Sequence, residues 1–326
     1  MSSISSINRK LDQLQITGAR RALTTADIFL SRVIIGANTA DYFNYRFYKR
    51  PLKERLTFIY GRRHIKIYQT ANGRKRNEVF DSKVMFYKKF KDFINRDWIY
   101  VPDCSYDEFV RFADKHTKGF AKPCNGTFGI GTYVIDLQEQ LEEKYMELKE
   151  KDYIVEELIK GDPELQAFNP SSINTIRVIT LICADGIPRI MSAGLRMGNG
   201  NSAADNFHHG GLGAMIDVNT GVIITDAVDR DLNYYSSHPL THKQINGFKI
   251  EKWDEIAARV KEAAMVMQEV RFVGWDVAVD ENGRIMIIEG NCCSGIDISQ
   301  MPDQKGKWYL YKDELKKLRR LSKAHR

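Results

Sequence analysis

Near its C-terminal end the chain reads WDVAVDENGRIMIIEGN, an apolar run closed by a glutamate, a glycine and an asparagine. Asn282-Gly283 carries a strong hairpin signal, because both residues tolerate the positive φ of a type I′ turn. If these two form the loop, Glu281 faces Arg284 and, further back, Asp276 lies directly opposite Glu289. Directly opposed Cβ atoms of an antiparallel pair are only about 4.5–5.5 Å apart, so two carboxylates there repel unless a cation lies between them. Asn291, two residues past Glu289, points to the same face. Two carboxylates and an amide oxygen on one patch form a hard-oxygen donor set suited to Mg²⁺ or Mn²⁺. The plainer alternative is a solvated hairpin end with unrelated acids. Ile287, Ile288 and Trp275 argue instead for a buried sheet.

A second chemical segment is KPCNGTFGIG, residues 122–131, which sets Lys122 before Gly126, Gly129 and Gly131. A P-loop or a dinucleotide fingerprint needs a helix after its glycines, whereas TYVIDL reads as a strand. A glycine loop between strands can instead fold over phosphates and offer them backbone N–H groups. The kinase pattern puts its lysine after the loop and requires H-R-D and D-F-G, which are absent. Lys83 falls in the first turn of an expected helix, where the macrodipole disfavours a cation and a bound anion would relieve the cost.

These residues need elements to position them. Residues 20–60 read as short helices, with Tyr42, Phe43, Tyr45, Phe47 and Tyr48 as core and Gly61 as a helix stop. Ser82 is the expected N-cap of one helix, KVMFYKKFKDFINR, with Phe86, Tyr87, Phe90, Phe93 and Ile94 at helical spacing. Residues 117–158 read as strand, loop, strand, helix and strand. Beyond Pro163 the pattern is mostly β, with hairpins about Asp185-Gly186 and about 219–221. A helix from about 251 to 269 carries Trp253, Ile256, Val260, Ala264 and Met267 on one face. The fold class is α+β, with antiparallel sheets dominating the C-terminal half. Centring a hairpin on Asp185-Gly186 sets Thr175 opposite Arg196 and Arg177 opposite Gly194. The two arginines then share a face, where they could clamp a carboxylate or acyl-phosphate, or serve as structural ion-pair partners.

Composition narrows the classes. The chain has 326 residues, 43% hydrophobic and 28% charged, as in globular proteins of two or three domains or one large core with a lid. No stretch approaches a membrane span, the N-terminus lacks a signal-peptide core, and five cysteines without zinc spacing suit a reducing cytoplasm. The net charge is +7, clustered at Arg62-Arg63-His64, Arg74-Lys75-Arg76 and the tail LYKDELKKLRRLSKAHR. That tail could lie on an anionic membrane at its inner face or touch glycan-assembly proteins. No nucleic-acid motif accompanies it.

Across roughly residues 80–300, with weaker likeness in GANTADYFNYRFYKRP, the chain resembles the ATP-grasp superfamily. Within it, the likeness is to the sugar-transfer-associated branch found with cell-surface polysaccharide genes. The resemblance implies a nucleotide held between a small lid domain and a larger, mainly antiparallel C-terminal domain. It divides the chain into a helical region (1–95), the lid and central domain (96–158), and a domain with the metal site and basic tail (159–326). It implies ATP and Mg²⁺ (or Mn²⁺), with Lys83 and Lys122 on phosphate and Gly126, Gly129 and Gly131 in the lid loop. Glu156, Glu157 and Leu158 resemble the linker that holds adenine through its backbone and Glu156, and Glu164 would take the ribose. Asp276, Glu289 and Asn291 match the D…E-x-N magnesium triad with its thirteen-residue spacing.

Two positions depart from the amino-acid ligases of that superfamily. Gly274 stands where an arginine precedes the first metal aspartate, and Cys292-Cys293-Ser294-Gly295 replaces a Ser-Pro-Gly-like loop. Arg177 and Arg196 could supply the missing charge. Asn174, Asp205 and Asn206 are candidates for the acceptor site, while His208-His209 reads as a polar loop. The implied activity is a carboxylate–amine ligase joining a small or sugar-linked carboxylate to an amine. The alternatives are a kinase of a sugar or polyol hydroxyl and a non-catalytic nucleotide-binding adaptor.

Overall fold

The computed structural model describes residues 4–73, 77–125, 129–200 and 210–324. A four-stranded antiparallel sheet is built from β1 (Trp98–Tyr100), β2 (Lys118–Pro123), β3 (Tyr133–Asp136) and β4 (Tyr153–Glu157), in the order β1-β4-β2-β3. A seven-stranded antiparallel sheet follows, from β5 (Thr175–Ile182), β6 (Pro188–Met197), β7 (Leu212–Ile216), β8 (Ala227–Val228), β9 (Tyr234–Tyr235), β10 (Phe272–Val279) and β11 (Ile285–Asn291). Its order is β11-β10-β5-β6-β7-β8-β9. With helices on its faces, the protein is α+β.

The large sheet is buried on both sides, and alternate residues of β5 and β10 enter different cores. Val178, Val273 and Trp275 pack with the helix Trp253–Ala264 and with Phe86 and Phe90. Ile179, Leu181 and Phe272 pack against Ile67 and Ala71 of the helix Gly61–Asn72 and against Tyr311 and Leu315 of the C-terminal helix Tyr309–Ala324. On that second face Arg177 and Asp276 continue the rows beyond the apolar residues. The N-terminal aromatic run is core as expected: Tyr42, Tyr45, Phe47 and Phe58 are buried, with Tyr45 stacked on Phe58 at 5.0 Å.

Several elements depart from expectation locally. Gly61 opens a helix rather than ending one, its N–H donating to Asp41 Oδ2 at 2.9 Å. The helix expected over 83–96 is two pieces, Lys83–Lys89 and Lys91–Ile94, broken at Phe90 and ended by left-handed Asn95. Phe90 packs edge-on to Trp275 at 5.5 Å, so burial of its ring holds the break. The helix expected over 251–269 is α-helical for Trp253–Ala264 and 3-10 for Met265–Met267. The loop after β7 turns at Gly221, but its return makes isolated bridges in place of a strand. The Asp185-Gly186 hairpin has the expected register near the site, Thr175 to Arg196 and Arg177 to Gly194.

The β10–β11 hairpin reaches the expected pairing by an unexpected route. Its loop has three residues: Asp280 N–H donates to Arg284 O at 3.1 Å, and Gly283 N–H donates to Asp280 O at 2.9 Å. Gly283 alone in the loop has positive φ, as in a type I turn followed by a left-handed glycine. The Asp280 carboxylate fixes this turn by accepting the N–H groups of Asn282 and Arg284 at 3.0 and 2.7 Å. Val279 therefore pairs with Ile285, one residue away from the register of a two-residue loop. A bulge at Ile288 restores the count, and Asp276 faces Glu289 after all.

The two turn types make different predictions. Asp280→Ala leaves the loop N–H groups without their acceptor and should cost about 1–3 kcal/mol in urea unfolding. Asn282→Ala should stay within about 0.5 kcal/mol, because Asn282 needs no left-handed backbone here. A large loss at Asn282 with none at Asp280 would restore the type I′ turn.

Candidate active site

Asp276 is buried where β5, β10 and β11 meet, and two guanidiniums hold it. Arg177 donates through Nε to Oδ1 at 2.5 Å and through Nη2 to Oδ2 at 2.9 Å, and Arg196 donates through Nη1 to Oδ2 at 2.9 Å. Burial opposes ionisation of Asp276, but the two arginines overcome it and hold the carboxyl well below the usual range. Glu289 has the opposite fate: burial, and then the charge of Asp276, push its carboxyl up. Asn291 Nδ2 donates to Glu289 Oε1 at 3.0 Å. The three oxygen-bearing side chains thus converge, as read from the sequence. The arginines, expected to face substrate, are both occupied on Asp276.

Glycines set the approach of other groups. A Cβ at Gly290 would lie 2.8 Å from Phe86 and 2.9 Å from Phe80, so glycine between Glu289 and Asn291 lets the Lys83–Lys89 helix press on the hairpin. A Cβ at Gly274 would lie 2.0 Å from Ser294 Oγ. Arg177 Nη1 donates to that hydroxyl at 2.7 Å, so the absent side chain at 274 makes room for an Arg177–Ser294 contact.

The small sheet brings Lys122, and the helix Lys83–Lys89 brings Lys83. Lys122 Nζ lies 2.8 and 2.9 Å from the two Glu156 oxygens and over the Phe120 ring at 5.2 Å. Glu156 also accepts from Arg96 Nε at 2.8 Å and Tyr87 OH at 2.5 Å. Burial would raise the Glu156 carboxyl, but Arg96 and Lys122 prevail and hold it at about 2. Lys83 donates through Nζ to Pro123 O at 2.9 Å, tying its helix to the end of β2. Burial lowers its pKa, Glu289 opposes that fall, and Lys122 adds to it.

These groups line one cavity of about 1050 Å³ with Gly129, Glu157, Leu158, Arg177, Arg196 and Asn291. Gly131 sits just behind, its carbonyl accepting from Tyr153 OH. The far end is closed by parts that sequence reasoning missed: His64, Ser192, Ser294, Asp297 and Ile298. His64 Nε2 is 2.7 Å from Ser294 O and so carries the proton there. Burial lowers the His64 pKa against the pull of that bond and of Asp297, which favours the neutral ring. Ser294-Gly295 had a signal as an unusual loop after the triad. His64 and Arg96 had none, since helix 61–72 and the residue after Asn95 reach the cleft only through tertiary packing.

Some expected residues lie elsewhere. Glu164 does not line the cavity and pairs with Lys243 at 2.7 Å on the surface, which corrects its ribose assignment. Asn174 is buried with its amide consumed by Leu165 O, Asn169 O and Gly198 N–H, so it braces loops in place of meeting an acceptor. The Glu156 carboxylate, expected on adenine, is taken by Lys122 and Arg96. The Glu157 N–H is already given to Asp97 O at 2.9 Å. Gly126, Asp205 and Asn206, like Arg74-Lys75-Arg76 and His208-His209, fall outside the described residues.

Donor chemistry fits a divalent cation. Asp276, Glu289 and Asn291 gather two carboxylates and an amide on one patch, and Glu289, raised first by burial and then by the charge of Asp276, is an acid whose ionised form a cation there would favour. Two antiparallel sheets with Lys122 on one and a D…E-x-N hairpin on the other define an ATP-grasp protein. The family comparison gives the particular branch. The sugar-transfer associated ATP-grasp family matches residues 62–313, and the chain belongs to it. No curated protein matches the chain. Among solved structures it is similar to the ATP-grasp ligase PsnB complexed with minimal precursor, Mg and ADP, at 15% identity and TM-score 0.46, covering 76% of this chain and 62% of that one. It is also similar to an N5-carboxyaminoimidazole ribonucleotide synthetase in its ADP complex (10%, TM-score 0.44, 68% and 46% covered). A third is the D-alanine-D-alanine ligase from Coxiella burnetii (12%, TM-score 0.43, 76% and 60% covered). The chain spans less than two thirds of the length of each.

The Glu156 cluster gives a pH prediction. Its folded pKa of about 2 lies below the ordinary 4.5, so its stabilisation is present above 4.5 and is lost as pH falls from 4.5 toward 2. Glu156→Gln should be less stable at neutral pH, and its unfolding free energy should fall less steeply between those values. A parallel acid profile in both proteins would show that the carboxylate is not ion-paired.

Proposed function

We propose that this chain is an ATP- and Mg²⁺-dependent carboxylate–amine ligase that works through an acyl-phosphate on a sugar-linked carboxylate or an amino acid of a surface glycan. The supporting observation is a single cavity with lysines at one end, the carboxylate pair between, and a polar end at His64, Ser192 and Asp297. Its 1050 Å³ lies at the top of the roughly 300–1,000 Å³ range of ligand pockets, as a nucleotide-sized ligand requires. The family's association with sugar transfer supports a glycan-linked acceptor.

In this reading a substrate carboxylate oxygen attacks the γ-phosphorus and ADP leaves. An amine nitrogen then attacks the acyl carbon, forming the C–N bond as phosphate departs and the nitrogen gives up a proton. Lys83 and Lys122 neutralise phosphate charge and orient the transferred group. Asp276, Glu289 and Asn291 would hold Mg²⁺ (or Mn²⁺), which when bound supplies further neutralisation between phosphate oxygens. Arg177 and Arg196 line the cavity beside Asp276, where their guanidinium charge would stabilise negative charge developing on the substrate carbonyl oxygen.

Incubation with ATP, Mg²⁺ and pools of uronic acids, amino acids and nucleotide sugars, read by mass spectrometry, tests the chemistry. The expected product is two substrates joined with loss of water, together with ADP. Lys122→Met should lower kcat/KM for ATP by roughly tenfold or more, as expected for loss of a charge-assisted hydrogen bond of about 1.5–3 kcal/mol. A new phosphate ester formed as ATP is consumed, with no amide and no hydroxamate when hydroxylamine replaces the amine, would establish a kinase instead.

A further inference from the structure

The helix Gly18–Ile34 is turned the wrong way round for a solvated helix. It buries Thr24, Ile28 and Ser31, and exposes Leu23 (72%), Phe29 (49%), Leu30 (55%), Val33 (74%) and Ile34 (59%). At 100° per residue Leu23, Leu30 and Ile34 form one line and Val33 and Phe29 lie progressively to one side of it, so the five side chains make an apolar face about 140° wide. Scattered exposed apolar residues are ordinary, but a contiguous stripe of five along one helix marks an interaction surface.

Arg20 and Arg32 are exposed and lie on opposite sides of this face. The helix has one acid, Asp27, about 20–40° from the Leu23–Ile34 line. Its carboxylate is taken by Arg55 at 2.7 and 2.8 Å and by Tyr42 OH at 2.6 Å. Two copies stacked face to face would oppose arginines while the one acid of each helix is already paired. An anionic lipid surface meets both properties at once, taking the apolar side chains into the acyl boundary and the guanidiniums onto phosphate.

We infer that the helix Gly18–Ile34 lies flat on an anionic membrane, with Leu23, Phe29, Leu30, Val33 and Ile34 inserted and Arg20 and Arg32 on headgroup phosphates. The basic tail, the segment expected from sequence to do this, is differently placed. Its helix docks on the helix Gly61–Asn72 through Tyr311, Leu315 and Leu318, which leaves no apolar row to insert. Among the described residues no helix is long and apolar enough to cross a membrane, so attachment here is peripheral. The inference is independent of the reaction catalysed.

Co-sedimentation of the full chain with phosphatidylcholine vesicles, with and without phosphatidylglycerol, provides the test. Binding should require phosphatidylglycerol and fall as salt screens the arginines. The Leu30→Glu/Val33→Glu double variant alters only exposed positions and should reduce partitioning by roughly tenfold or more. Arg20→Gln/Arg32→Gln removes no apolar group, guards against misfolding of the first variant, and should weaken binding to anionic vesicles. Lys316→Gln/Arg319→Gln/Arg320→Gln in the tail should bind like the parent. The inference fails if the parent ignores anionic vesicles, or if only the tail variant loses binding. It fails equally if the stripe variants bind normally, or if Leu30→Glu/Val33→Glu instead converts a vesicle-indifferent dimer to monomer in sedimentation.

Discussion

Two carboxylates, Asp276 and Glu289, face one another across neighbouring strands, and the surrounding structure answers the repulsion between them. Arg177 and Arg196 reach over from β5 and β6 to keep Asp276 ionised, while burial, and then that charge, push the Glu289 carboxyl up. A purely structural ion pair would not need the second acid. Removing either arginine would leave a buried carboxylate short of compensation, which typically costs several kcal/mol. The balance is therefore local and tight.

Positioning of this pair propagates outward through close approaches. Gly290 admits Phe86 and Phe80, and the helix that bears Phe86 also carries Lys83 to the cavity. Gly274 admits Ser294, which links Arg177 to the loop that His64 holds. On the facing sheet, buried Arg96 fixes Glu156, and Glu156 fixes Lys122. If Lys122 meets phosphate as proposed, the carboxylate that already holds it means the lysine need not be ordered again when the anion arrives.

Much of the site was legible because strands have a period of two. The β5–β6 register placed Arg177 and Arg196 on one face, and the hairpin placed Asp276 opposite Glu289. The second success concealed an error. The loop has three residues, not two, and the bulge at Ile288 cancels the shift; a side-chain cap such as Asp280 and a bulge are both decided by packing that a single strand does not display. Residues whose partners lie far along the chain were less legible. Asn174 and Glu164 looked available until Gly198 and Lys243 took them, and His64 arrives from a helix that sequence reading ended at Gly61. Surface chemistry was likewise hidden: the positive tail drew attention by composition, whereas the apolar stripe on Gly18–Ile34 shows only when the buried face of that helix is known.

The central claim is that the Asp276–Glu289 pair is a cation-dependent nucleotide site. Calorimetric titration of ATP into the parent and into Glu289→Gln, each with and without Mg²⁺, measures it directly. The parent should bind ATP at least about tenfold more tightly with Mg²⁺, a gain of roughly 1.4 kcal/mol or more. Glu289→Gln should keep its fold and its Mg²⁺-free affinity while losing most of that gain. An undiminished Mg²⁺ effect in Glu289→Gln would contradict the account.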